Sequence, residues 1–439
     1  MIILNKNHSV LLVDQKCEGC TSCVKNCPTK AIRVHNGKAM IKDDYCIDCG
    51  ECIRSCEHHA KSVLTENIDV INNYKYSIAL LPPSFYGQFS KRINPEQISY
   101  ALKGVGFFQV WDAALGAEVL NKATRAYLNR EDEVLISSSC PVIVRLVQLL
   151  YPELIKHLSP FKAPVEIVAQ AARYKIKKEY SVDDSDIGVF FITPCPAKRT
   201  AIENPLGLKE SNIDGAIGVD VIYHQVITRL DNLEDLRRIS LDREIPYNGI
   251  RWARSSGESE LLDREDTLSV DGIHNVIEIL EELDRGNLAN IKYLELVACQ
   301  PGCVGGVLNV KNPFMAKFNI ELLLEKNKEI EGRNHNLCDY NIELDYFFKK
   351  KKIKPLDEDL LCAMKKLTKL EEVSKELPGL DCAACGAPDC RTLAEDIVGG
   401  LADKSNCVFI LRKQIGDLAD EMSRLTHTLP PVMQRKNRE

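Results

Sequence analysis

The chain has 439 residues, 45% hydrophobic and 27% charged, with a formal net charge of −6. That balance supplies a real core and gives no basic surface for nucleic acid. No apolar run reaches the roughly 18 residues a membrane helix needs, and MIILNKNHSV is too short an apolar start for a signal peptide, so a cytoplasmic protein of about three domains is expected.

Eighteen cysteines are too sparse for a disulfide scaffold, and all but Cys338 and Cys362 fall into spaced groups. Soft thiolates so grouped select iron–sulfur clusters or zinc, and an anaerobic or reducing setting would follow. Residues 1–65 carry Cys17-x2-Cys20-x2-Cys23-x3-Cys27-Pro28 and then Cys46-x2-Cys49-x2-Cys52-x3-Cys56. This repeat is the bacterial two-cluster ferredoxin signature, in which the fourth cysteine of each run serves the other cluster. Cys17, Cys20, Cys23 and Cys56 are assigned to one [4Fe-4S] cubane, and Cys46, Cys49, Cys52 and Cys27 to the other. Glu57 replaces the proline after the second run. Paired cubanes pass single electrons, so an α+β ferredoxin-like relay is expected here. His58 and His59 read as surface residues, because cysteines already complete both clusters.

Residues 66–341 alternate strands with helices. Strands are expected at Tyr76–Leu81, Glu133–Ser137, Ile187–Ile192 and Tyr293–Ala298, and helices at Asp112–Leu128, Pro141–Leu158, Ala163–Lys177 and Gly272–Asp284. The pattern indicates an α/β domain of two lobes with mainly parallel sheets. Three of the strands end in cysteine: VLISSSCP at Cys140, VFFITPCP at Cys195, and LELVACQPGCVGG at Cys299 and Cys303. Ligands of open α/β sheets bind beyond the carboxyl ends of strands, so these ends could converge on one cofactor, and four thiolates suffice for one cubane. Lys198 stands near the same turn, where its ammonium could hydrogen-bond an anionic group or simply face solvent. Ser137, Ser138 and Ser139 could supply hydroxyl contacts or shape the turn.

Residues 342–375 read as a charged connector, a solvated linker or an exposed helix face, with Lys349–Lys352 and Lys354 followed by Asp357–Asp359, and a docking patch for an acidic partner is the alternative. Cys338 and Cys362 read as structural free thiols. Residues 376–410 hold Cys382-x2-Cys385-x4-Cys390-x16-Cys407. That spacing suits zinc or [4Fe-4S], and the company of other clusters favours iron in a small helical module. The tail, residues 411–439 with its seam beginning at Val408, places Val408, Leu411, Ile415, Leu418, Met422, Leu425 and Leu429 at coiled-coil spacing up to Pro430–Pro431. A homodimer through this helix is expected, with docking on its own protein as the alternative. Gly416 weakens the helix by roughly 1 kcal/mol.

The motifs SSSCP, TPCPAK and ELVACQPGCVGG resemble the three cofactor signatures of the [FeFe]-hydrogenases, over roughly residues 1–340. In that family four cysteines hold the H-cluster, a [4Fe-4S] cubane joined by one thiolate to a diiron site with CO, cyanide and a dithiolate. The resemblance implies that Cys140, Cys195 and Cys299 ligate the cubane and that Cys303 bridges. It implies that Lys198 binds one cyanide and that Pro82, Pro83 and Ser84 pack on the other. The C-terminal module resembles another known [4Fe-4S] domain, and the whole matches the organisation of the sensory-type branch. No PAS module is visible, so a signalling output would need a separate protein.

Departures from the family pattern bear on rate. Ser139 stands where a cysteine relays protons, and Thr124 where a glutamate continues the relay. Thr193 and Val297 replace two methionines, and Val307-Leu308-Asn309 replaces a glycine-rich end. The expectation is a slow hydrogenase catalysing H2 ⇌ 2H+ + 2e− with a hydrogen- or redox-sensing role, and with Glu258 and Glu260 as candidates for another proton route. Implied partners are H2 and protons, the hydrogenase maturation proteins, and a redox partner such as ferredoxin or a signalling protein. Three further [4Fe-4S] clusters would carry electrons. The alternative is a non-catalytic hydrogenase-like protein of cluster assembly, or an electron-transfer hub, without the diiron group.

Overall fold

The computed structural model describes residues 7–90, 92–130, 133–231, 245–327 and 341–427. Cys338, Leu429 and the expected stop at Pro430–Pro431 lie outside the described residues. The strands, in chain order, are β1 (Val10–Leu12), β2 (Ile32–His35), β3 (Lys38–Ile41), β4 (Lys61–Val63), β5 (Tyr76–Leu81), β6 (Gln109–Asp112), β7 (Leu135–Ile136), β8 (Ile187–Thr193), β9 (Gly215–Gly218), β10 (Thr267–Asp271) and β11 (Tyr293–Val297). The chain divides into two compact units. The larger comprises residues 1–13, 45–54 and 61–352, and the smaller residues 14–44, 55–60 and 353–439. The division runs through the ferredoxin-like segment.

The larger unit holds two parallel sheets, ordered β6-β5-β8-β9 and β10-β11-β7, besides the antiparallel pair β1-β4. The continuous apolar runs of β5 and β8 follow from burial on both faces. Ile78 and Leu80 of β5 join Val189 and Phe191 of β8 in one core, while Ala79 and Leu81 join Phe190 and Ile192 in the other. Alternate residues point to opposite faces, so one run feeds two cores. Each such large side chain contributes about 1.5–3 kcal/mol on full burial.

The expected strands form, with β7 shortened to Leu135–Ile136. The strands missed were β6, β9 and β10, all at sheet edges. Their short sequences QVWD, GAIG and TLSVD lack the apolar run that a central position demands. The helix expected from Asp112 begins at Ala114, because Asp112 ends β6 and its carboxylate accepts the Ala114 N–H at 2.9 Å. The helix expected through Leu158 stops at Leu150. Pro152 ends it by disfavouring helical backbone at Tyr151, and a separate tight turn of helix, Pro152–His157, follows. The other two helices are Pro164–Tyr180 and Ile273–Asp284.

In the smaller unit β2 and β3 form an antiparallel hairpin. The Val34 N–H donates to the Gly386 carbonyl at 2.8 Å. Asp396, with a side chain 1% exposed, pairs with both Arg33 and Lys42 at 2.6 Å. The stretch expected to be a charged connector contains the helix Leu360–Glu376. Its Leu370 and Val373 pack with Leu377, Leu393, Ala394 and Cys407. The 3-and-4 spacing of those apolar residues among the lysines makes the stretch an amphipathic helix. Lys349, Lys350, Lys352 and Lys354 remain exposed. Among the described residues, no helix is long and apolar enough to cross a membrane.

Candidate metal centre

Cys140 and Cys195 have extended backbones and stand immediately before helices that open with Pro141 and Pro196. Proline suits the first helical position, where its missing N–H goes unused and its φ is already set. A thiol there faces the free N–H groups and positive end of the helix, which favour thiolate. The third signature turns between other backbones. Gly302 has φ +103, and a side-chain carbon on it would lie 2.5 Å from the Ser255 nitrogen. A side-chain carbon on Gly306 would lie 2.4 Å from the carbonyl oxygen of Pro194, so this turn lies directly on the segment carrying Cys195. Asn309, one of the departures, donates from its amide to the Cys303 and Val304 carbonyls at 2.9 Å and holds the turn closed. Thr193, another departure, donates to the Cys195 carbonyl at 2.8 Å.

The four thiols are brought together. Burial raises the pKa of each, and charge on a neighbouring cysteine adds to all four shifts. Burial alone would lower the Lys198 ammonium, but the charge that Cys303, Cys195, Cys140 and Cys299 carry once ionised raises it above the ordinary lysine value. Its Nζ also lies 5.5 Å over the Phe191 ring. A cavity of about 110 Å³ opens beside them, lined by Pro82, Pro83, Ser84, Cys140, Lys198 and Cys303 among others. These residues come from the carboxyl ends of β5, β7, β8 and β11, that is, from both parallel sheets. Ser84 is fully buried, and its hydroxyl has no hydrogen-bond partner among the described residues. Converging soft thiols, a cation and an unanswered hydroxyl are a donor set that fits an anionic iron–sulfur cofactor. Binding metal would strip the protons that burial keeps on the thiols.

Of the two expected acids, Glu258 lines the cavity and is 6% exposed. It accepts hydrogen bonds from the Ser137 hydroxyl at 2.9 Å and from the Tyr293 hydroxyl. Glu260 does not reach the cavity. Its carboxylate is held by Arg254 at 2.5 Å and Arg251 at 3.5 Å in an outer pocket. Ser139 lines the cavity, while Thr124 is buried in the helix Ala114–Leu128 away from it. Sequence reasoning missed Glu295, which lines the same cavity and is 2% exposed. Its carboxylate accepts the Ser259 N–H at 2.8 Å. Burial pushes the Glu258 carboxyl up to about 8, with the charge of Glu295 adding to the shift, and burial raises the Glu295 carboxyl as well. The signal was present in YLELV, where a lone acid interrupts a strand buried from Tyr293 to Leu296.

The N-terminal runs are tied into their own units. Asp48, between Cys46 and Cys49, has a fully buried side chain, and it accepts from Arg145 at 2.9 Å, Thr200 at 2.7 Å and the Ser9 N–H at 2.9 Å. Arg145 and Thr200 lie on the helices that begin beside Cys140 and Cys195. In the smaller unit the Cys17 and Cys56 sulfurs accept the N–H groups of Ala39 and Ala60 at 3.4 and 3.3 Å. His58 and His59 are exposed, as expected of surface residues. Cys385, Cys390 and Cys407 share one core, and the charges of Cys382 and Cys407 both act on Cys385. Cys362 is exposed at the start of its helix.

These features define a protein of several cysteine-run modules together with a thiol-lined cavity at strand ends. Family models agree: a 4Fe-4S dicluster domain matches residues 9–57, the C-terminal domain of the iron-only hydrogenase large subunit matches residues 75–222, and an Fe-S cluster domain matches residues 377–409. The chain is 24% identical over 284 residues to iron hydrogenase 1 of Clostridium pasteurianum, covering 53% of this chain and 50% of that protein. It is 22% identical over 236 residues to a protein named as a probable cytosolic Fe-S cluster assembly factor, from Drosophila willistoni, covering 42% and 49%. The matched stretch thus spans about half the length of either relative. A solved [FeFe]-hydrogenase from Chlamydomonas reinhardtii superposes with a TM-score of 0.46 at 14% identity, over 64% of this chain and 95% of that one. The hydrogenase likeness thus rests on residues 75–222, which match the large-subunit domain of the iron-only hydrogenases.

Proposed function

We propose that the chain is a hydrogenase of the reaction H2 ⇌ 2H+ + 2e−, with an H-cluster in the cavity. Cys140, Cys195 and Cys299 would hold its cubane and Cys303 would bridge to the diiron group. Lys198 and Ser84 would donate hydrogen bonds to that group's cyanides, with Pro82 and Pro83 shaping the wall. When bound, the diiron group supplies the site at which H2 is split heterolytically. The chain supplies the rest. The parallel strand ends exclude water and fix the thiolates. Glu258, accepting from Tyr293 and Ser137 and lying near Glu295, forms a buried group that can hold a proton beside the cavity. The N-terminal cysteine runs and the C-terminal four-cysteine module would carry cubanes that move electrons, toward a redox partner such as ferredoxin or a signalling protein. Ser139 in place of a thiol, and Thr124 away from the cavity, point to slow turnover suited to sensing.

The observation that carries this reading is the buried, unanswered Ser84 hydroxyl facing the same cavity as Lys198 and Cys303. A cubane alone has no need of that cradle. The second reading, a hydrogenase-like protein without the diiron group, is favoured by the resemblance to the assembly factor. Infrared spectroscopy after co-expression with the maturation proteins separates the two. The hydrogenase reading expects CO and cyanide bands and about 18 iron atoms per chain, against about 16 without the diiron group. Absence of the bands in protein with full cubane content would refute it.

A further inference from the structure

Arg54 lies inside the second cysteine run, in Cys52-Ile53-Arg54-Ser55-Cys56. Its guanidinium reaches two ways. One nitrogen, Nη1, donates to the Cys49 carbonyl at 3.2 Å and to Glu51 at 2.7 Å. The other, Nη2, donates to Cys299 Sγ at 3.1 Å and to the Gly305 carbonyl at 2.7 Å. A rigid fork of five donors can make all four contacts at once, which a lysine cannot. The neighbouring backbone is built around this crossing. Gly50 has φ +81, and a side-chain carbon there would meet Val307 at 2.8 Å. Val307 is one of the residues by which the third signature departs from its family, so the departure lies at this same contact.

We propose that Arg54 is a positioning residue that raises the reduction potential of the cubane held through Cys299 and hydrogen-bonds it to the cysteine run with which it exchanges electrons. The proposal rests on the reading of Cys299 as a cluster ligand. A donor to a ligand sulfur, and a positive charge beside it, stabilise the more negative, reduced cluster, so the potential rises. One electron arriving from the cubane of Cys46, Cys49 and Cys52 reduces the central cubane by one charge. No bond breaks and no proton moves, since the guanidinium stays protonated throughout. The side chain is 30% exposed, so its charge is only partly screened.

The test uses the full chain loaded with its cubanes but not the diiron group, titrated electrochemically with electron paramagnetic resonance as the readout. Arg54→Leu is expected to shift the oxidised-to-reduced ratio of the central cubane at least about tenfold toward oxidised, a fall of about 59 mV for a one-electron couple. Arg54→Lys, which keeps the charge but not the fork, is expected to fall between. The cubane of the C-terminal module is expected to stay unchanged in both. An unchanged central midpoint in Arg54→Leu with full iron content overturns the proposal, as does an equal shift of every cubane. Should Arg54→Leu lose iron, Arg54→Gln is titrated instead, and an unchanged midpoint there overturns it equally. A central signal missing from the wild type, or surviving in Cys299→Ala, overturns the ligand reading and the proposal with it. That failure shows without any change at Arg54 and is so distinguished.

Discussion

Glu258 and Glu295 sit as two buried acids in one pocket, where carrying both charges is unfavourable. Burial raises each, and Ser137 and Tyr293 supply hydroxyls to Glu258. A carboxyl kept protonated near neutral pH can store and release a proton, and such groups contribute roughly 10²–10⁴-fold to proton transfer. Glu258→Gln and Glu295→Gln are therefore expected to lower hydrogen turnover at least about tenfold while the infrared bands persist. Glu260→Gln, at the outer arginine pair, is expected to leave turnover at the wild-type level. Full turnover in Glu258→Gln would remove that residue from the route. The raised pKa also has a sign for stability. The folded state retains a proton that the unfolded chain loses above about pH 4.5, so stability falls as pH rises from there toward the folded value. The stability of Glu258→Gln relative to wild type should accordingly grow with pH over that window in denaturant titrations.

At the scale of elements, single residues decide where helices begin and end. Cys140-Pro141 and Cys195-Pro196 each start a helix at a cysteine, which is why strand, thiol and helix follow one another within a few residues. Pro152 stops a helix whose apolar spacing alone would carry it on. In the smaller unit the hairpin β2-β3 and the helix Cys390–Val398 are joined at Asp396, which serves Arg33 and Lys42 together. Removing the shared anion leaves Arg33, only 5% exposed, buried without its partner. Breaking one side of such a pair costs about 3–5 kcal/mol. Asp396→Ala is expected to lower the stability of this unit by that amount, read as an earlier denaturant midpoint. Retention of the wild-type midpoint would show the pair to be energetically silent.

For the whole molecule, the helix Val408–His427 carries its apolar seam in the open. Leu411 is 42% exposed, and Met422 and Leu425 are each 64% exposed. The spacing is that of a two-stranded coiled coil. We expect a dimer through this helix, dissociated by Leu418→Asp with Met422→Asp, as measured by sedimentation. A wild-type monomer at micromolar concentration would leave the seam to other uses. Such a dimer would pair the C-terminal modules of two chains and give each a second electron terminal close to its partner's.

Sequence alone determined the cysteine groups, the strand ends that carry them and the central strands of both sheets. Each of these is a local pattern: fixed ligand spacing, an apolar run, a proline after a cysteine. Edge strands such as β9, with GAIG, escaped because half-satisfied positions tolerate any short sequence. Tertiary structure alone decided which polar groups meet. Arg54 finds Cys299 across 245 residues, and Arg33 finds Asp396 across 363. Glu295 joins Glu258 because a parallel strand and a distant turn close on one cavity. A buried charge advertises in sequence that it needs a partner, as Glu295 does within YLELV. Only the folded chain says which partner, because long-range contacts depend on packing and not on spacing.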